Sequence, residues 1–151
     1  MRLSPAGVDL IKAFEGYRPT VYLDIAGKAT IGYGHLVRPG ESFGYLDGTE
    51  AEALLRQDVA SAESAVSRLI TAPLHQLQYD ALVSFTFNLG SGALQRSTLR
   101  QQANRGAHAE VPAEFLKWVR AGGKVSKGLV KRRIAEAALY QRGWLETLPW
   151  T

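Results

Sequence analysis

Apolar residues recur at helical spacing almost from the start of the chain. Val8, Leu10, Ile11 and Phe14 follow Ser4-Pro5, a helix start, and Gly16 closes the run. Val21-Tyr22-Leu23 and Thr30-Ile31-Gly32-Tyr33 then read as two short strands, with residues 24–27 as the turn between them. Thr49-Glu50-Ala51-Glu52 reads as a capping box opening a long amphipathic helix through Ala53, Leu54, Ala60, Val66, Leu69 and Ile70, placed to join two lobes. After Pro73, a helix carrying Leu77, Ala81, Leu82, Phe85 and Leu89 is apolar on most sides, as a core helix is, and Gly90 and Gly92 end it. Further helices are predicted near 97–103, 109–119 and 129–142, with Gly122-Gly123 as a break. The pattern predicts an α+β fold, predominantly helical, without repeats or low-complexity tracts.

Within this frame two carboxylates stand out. Glu15 falls in the last turn of the first helix, where the macrodipole disfavours a further anion, a setting that suits a proton donor. Asp24 falls at the hairpin end, facing water. Two acids held apart in one cleft are the minimum equipment for cleaving a glycosidic bond, one protonating the departing oxygen and the other activating water or attacking the sugar. Thr30 opens the second strand with a hydroxyl that can orient a water beside Asp24, and Gly32 and Gly34 remove bulk where a ligand or another backbone approaches. Taken singly, a helix-end Glu is usually a solvated charge and a turn Asp usually bonds its own backbone.

The order E15-G-x-R18, Y22-x-D24 and G27-x-x-T30-I-G-Y-G-H35 resembles the catalytic signature of the phage T4-type lysozymes, endolysins of the muramidase class in glycoside hydrolase family 24. The resemblance continues through Q78-Y-D-A-L-V-S-F-T-F-N88-L-G90 and S97-T98-L99 to F115-L-K-W118 and G128-L-V-K-R-R133-I-A-E136. It implies a single lysozyme-like catalytic domain over 1–151, with a small β-sheet lobe (about 15–60) joined by a long helix to a helical lobe (1–14 plus 70–151). It implies Glu15 as general acid, Asp24 as general base toward water and Thr30 as the holder of that water. The reaction implied is hydrolysis of the β-1,4 bond between N-acetylmuramic acid and N-acetylglucosamine, with inversion. Asn88, Phe87, Ser97, Thr98, Gly32 and His35 are the matching candidates for substrate binding. Each has a plainer reading: Asn88 as a helix-end cap, Ser97 as an N-cap, His35 as a hydrogen-bonding brace of the hairpin, and Phe87, like Tyr22, Tyr33 and Trp118, as packing. Arg18 either pairs with a carboxylate or faces water.

The bulk properties narrow the function classes. In 151 residues there is no cysteine and there are three well-separated histidines, so neither disulfides nor a metal cluster is expected, and no cofactor. The net charge of +4 favours an anionic partner such as peptidoglycan over any specific nucleic-acid role. Lys124, Lys127, Lys131, Arg132 and Arg133 carry much of the excess and read as a solvated helix face; Arg132 or Arg133 approaches Glu15 if the last helix packs beside the first. The opening residues lack the roughly 7–15 apolar positions of a signal peptide, and no stretch nears the roughly 20 needed to span a bilayer. A monomer is expected in the host bacterial cytoplasm, acting on the wall from the periplasm once a holin has opened the membrane, although a trimmed signal-anchor leaves the same sequence. The competing classes are a lytic transglycosylase, which works with one Glu, and a catalytically silent peptidoglycan-binding module.

Overall fold

The computed structural model describes residues 1–149. Its contacts divide the chain into two compact units, residues 11–60 and residues 1–10 with the chain from Ser61 onward. The divisions fall inside the first helix and at the head of the third.

The first unit begins with the end of α1 (Pro5–Glu15) and a three-stranded antiparallel sheet, β1 (Arg18–Leu23), β2 (Ala29–Gly32) and β3 (His35–Leu36), in the order β1-β2-β3. Tyr22 lies opposite Thr30 and Leu23 opposite Ala29, with a bulge between Arg18 and Tyr22. Ile31 lies opposite His35. The helix α2 (Gly48–Asp58) covers the sheet, and Ile31, Leu46 and Ala51 form a small core ringed by Tyr33, Val37, Phe43 and Leu54. The α2 N-terminus is capped two residues earlier than the sequence pattern suggests. Asp47 accepts from the Glu50 N–H at 2.8 Å while Glu50 accepts from the Asp47 N–H at 3.1 Å, so Thr49 already lies inside the helix. The run expected as one long helix is α2 and α3 (Ala60–Leu69), parted at buried Val59 where no proline or glycine marks the break.

The second unit is built on α4 (Gln76–Leu89), whose residues from Leu77 to Thr86 are all buried. His75 caps it, accepting from the Leu77 N–H at 3.0 Å, and Gly90 ends it. Gly92 does not end that helix but lies inside α5 (Ser91–Arg96). Then come α6 (Thr98–Asn104), a single 3-10 turn (His108–Glu110) and α7 (Val111–Phe115), so the expected helix over 109–119 is shorter. Gly122-Gly123 form the turn of a two-stranded hairpin, β4 (Arg120–Ala121) and β5 (Lys124–Val125). The last helix, α8 (Lys127–Thr147), packs along α4 and α7. Phe85 meets Phe115 and Trp118 edge-on, each at 5.6 Å between ring centroids, which joins α4 to the segment after α6. The chain start is tied to α4 and α3, with the Ser4 N–H donating to Asp80 at 3.0 Å and the Leu3 N–H to Glu63 at 2.7 Å.

α8 departs from the solvated basic face read from its sequence. Arg133 and Glu136 are fully buried and Arg132 nearly so. Arg133 Nε lies 3.0 Å from Glu136 Oε1, and the Ser84 hydroxyl donates to Glu136 Oε2 at 2.5 Å. Burial pushes the Glu136 carboxyl up from its ordinary range, opposed by Arg133, Ser84 and Arg132, and burial pulls the Arg133 guanidinium down. Among the described residues no helix is long and apolar enough to cross a membrane.

Candidate active site

The end of α1 sets the first acid. Glu15 is its closing residue, and Gly16, at φ 73°, turns the chain toward β1. The Glu15 carboxyl reaches the β2–β3 turn. A Cβ built on Gly34 stands 2.9 Å from Glu15 Oε2 and 3.7 Å from its carboxyl carbon, with no other neighbour within 4 Å among the described residues beyond Tyr33 and His35.

The β1–β2 turn sets the second acid. Asp24 is half-buried, its Oδ1 accepting from the Lys28 N–H at 2.8 Å, while its own N–H donates to the Lys28 carbonyl at 2.9 Å. Gly27, at φ 78°, closes the turn and donates to the Asp24 carbonyl. Asp24 thus does bond its own turn, but through one oxygen, and Oδ2 is left over. Thr30 is buried, and its hydroxyl donates to the Lys28 carbonyl at 2.9 Å. Lys28 therefore organises both side chains, holding Asp24 by its N–H and Thr30 by its carbonyl. With its proton engaged, Thr30 Oγ1 offers lone pairs only, as an acceptor for a water.

Around these groups stand aromatic rings and cations. Arg18 lies exposed over the Tyr22 ring at 4.5 Å, Lys12 over the Tyr33 ring at 5.3 Å, and Tyr17 and Tyr33 are 5.6 Å apart. Arg18 is thus engaged with a ring. Lys12 also pairs with Glu52 on α2, and that hydrogen bond holds the Glu52 carboxyl below its usual range.

The other candidates of this unit point into the protein. A Cβ on Gly32 meets Leu46 at 3.2 Å and Ala51 at 3.5 Å, so the missing side chain there admits α2. His35 is buried with Nδ1 2.8 Å from Asp58 and Nε2 2.9 Å from Glu41, and both ring nitrogens are engaged within the fold. Burial alone draws His35 down, but the hydrogen bonds to Glu41 and Asp58 outweigh it and raise its pKa; the same bond to His35 lowers that of Glu41.

In the other unit, Ser97 and Thr98 line a pocket of about 260 Å³ with Arg96, Glu114, Lys117 and Trp118. Ser97 contributes little hydrogen-bonding capacity to it, because its hydroxyl donates to the Leu94 carbonyl at 2.7 Å and accepts from the Arg100 N–H at 3.0 Å as the α6 cap. Thr98 is exposed. Glu114 is 7% exposed, pairs with Lys117 at 2.5 Å through Oε2, and keeps Oε1 buried without a hydrogen bond. Arg96 lies over the Trp118 ring at 5.6 Å. Arg96 and Glu114 carry no motif of their own, and only their fold neighbours mark them. Asn88, half-buried at the end of α4, accepts from Arg133, and Phe87 beside it is half-buried.

The phage lysozyme family model matches residues 12–136 of this chain. An endolysin of Bacillus phage B103 is 44% identical over 95% of this chain and 55% of its own length, and the endolysin of Salmonella phage P22 is 37% identical over 93% and 98%. The chain spans little more than half the length of the Bacillus phage relatives it matches. A solved endolysin from Escherichia coli O157:H7 phage FAHEc1, 36% identical, superposes with a TM-score of 0.86 over 99% of this chain and 98% of that one. The family model alone spans more than half of the sequence and runs through Glu15, Asp24 and Thr30, so the chain belongs to the phage lysozyme family.

Proposed function

We propose that this chain is the catalytic domain of an endolysin of the T4 type, in glycoside hydrolase family 24, that cleaves the β-1,4 bond between N-acetylmuramic acid and N-acetylglucosamine in peptidoglycan. The observation that carries the reading is the shared tether of Asp24 and Thr30 to Lys28, which leaves one carboxylate oxygen and one hydroxyl lone pair for a single water. Family membership and the endolysin relatives support it.

In this mechanism Glu15, in its acid form, gives its proton to the glycosidic oxygen as the bond to the anomeric carbon breaks. A water donates one hydrogen bond to Asp24 Oδ2 and the other to Thr30 Oγ1, which aims its lone pair at the anomeric carbon. As the new C–O bond forms, Asp24 takes the water's proton. Water entering on the face opposite the leaving group inverts the configuration. Glu15 and Asp24 then exchange protons with solvent and the cycle restarts. Asn88, Thr98 and the pocket beside Thr98 offer polar groups to glycan on the second unit.

The test is digestion of purified peptidoglycan with the first-formed anomer resolved by NMR. Reducing N-acetylmuramic acid ends of inverted configuration are expected. Anhydro-muramic ends would replace this reading with a lytic transglycosylase, and undigested glycan with a binding module.

A further inference from the structure

We infer that Gly34 is a positioning residue for the proton donor, its bare Cα forming the seat on which the Glu15 carboxyl rests. The inference builds on the proposed role of Glu15. Two observations about Gly34 are independent of each other. Its φ of 79° lies in the left-handed region, which accounts for a glycine by backbone alone. The space a side chain would enter is occupied by one group, since among the described residues, chain neighbours aside, the only heavy atoms within 4 Å of a Cβ there are Glu15 Oε2 at 2.9 Å and the carboxyl carbon at 3.7 Å.

The other left-handed glycines of this unit behave differently. At Gly16, Gly27 and Gly40 a Cβ meets nothing within 4 Å, and at Gly32 it meets core side chains. A methyl group at 34 is thus specific in its effect: it pushes the acid off its place without touching the core. Flexible as it is, Glu15 can yield, so the fold survives while the proton moves away from the leaving oxygen. A displacement near 1 Å from a reacting position costs about 10²-fold in rate.

The experiment pairs Gly34→Ala with Gly40→Ala, which imposes left-handed strain at an exposed loop where an added Cβ meets no carboxyl within 4 Å, and measures each with and without Glu15→Ala. Gly34→Ala is expected to lower the melting temperature more than Gly40→Ala does, and the excess is expected to vanish when Glu15→Ala removes the carboxyl. In the Glu15-containing protein, Gly34→Ala is expected to lower kcat by about 10²-fold with KM within about twofold, since the glycan contacts are unchanged. Gly40→Ala keeps both constants. If Gly34→Ala alone does not fold, folding is expected to return in the double variant. An equal stability loss in both backgrounds, folding that does not return, or a kcat loss no larger than that of Gly40→Ala would overturn the inference. Full activity of Glu15→Gln would instead remove Glu15 as proton donor, while the melting comparison still reports whether the carboxyl sits on Gly34.

Discussion

The Thr30 hydroxyl donates to the Lys28 carbonyl at 2.9 Å, so its one proton is engaged before any water arrives. Serine preserves that geometry and valine removes both the bond and the lone pairs. Thr30→Ser is expected to retain activity within a few-fold, while Thr30→Val loses about 10²-fold in kcat, the scale of a misplaced reactant, and only about 0.5–1.5 kcal/mol of stability. Clearing rates of chloroform-treated Gram-negative cells, read beside urea melts, check this. A valine variant that clears cells at the normal rate would show that Thr30 only ties the strand.

The acids are separable by conservative substitution. Glu15→Gln removes the transferable proton and is expected to cut turnover by about 10²–10⁴-fold, the usual contribution of general acid catalysis. Asp24→Asn keeps an oxygen for the Lys28 N–H and so keeps the turn, yet cannot accept a proton from water; a similar loss at unchanged melting temperature is expected. Asp24→Ala should lose stability as well, because the turn bond goes with it. Normal rates in either isosteric variant would overturn the assignment.

His35 makes stability depend on pH from two sides. Its folded pKa is raised above the ordinary 6.5, so its contribution is complete below 6.5 and is lost as pH rises through the folded value. Glu41, lowered from 4.5, contributes fully above 4.5 and loses that contribution as pH falls through its folded value. The clamp of His35 by Glu41 and Asp58, with Arg38 3.7 Å from Asp58, is therefore strongest between 4.5 and 6.5. Urea melts against pH should show stability declining above that window in the native protein and a flatter alkaline side in His35→Asn. Parallel curves for the two proteins would remove His35 as the cause.

Glu136 anchors the last helix. Replacing it with Gln leaves the Arg133 guanidinium buried without its charged partner, and breaking a buried pair in this way costs about 3–5 kcal/mol. Equilibrium urea unfolding should show that loss. A Glu136→Gln variant within 1 kcal/mol of the native protein, on the scale of an ordinary surface substitution of about 0.5 kcal/mol, would mean that the network is not a stabilising one.

Local chemistry alone determined several parts of this protein. Ser4-Pro5 and Gly16 bound α1 and put Glu15 at its end, and the glycine-closed turn after β1 presents Asp24, because caps and turns are set by residues a few positions apart. The α4 core helix was equally legible, since a helix apolar on most sides has nowhere to go but the interior. Tertiary structure decided the rest. Whether His35 meets sugar or carboxylates depends on Asp58 and Glu41, 23 and 6 residues away, and whether Arg133 is solvated depends on Asn88, 45 residues away on α4. Gly143 makes the same point: a residue that usually weakens a helix sits within α8 because a Cβ there would lie 2.9 Å from the Gln78 backbone nitrogen. Partner identity is a property of the packed chain, and no pattern of neighbours along the sequence contains it.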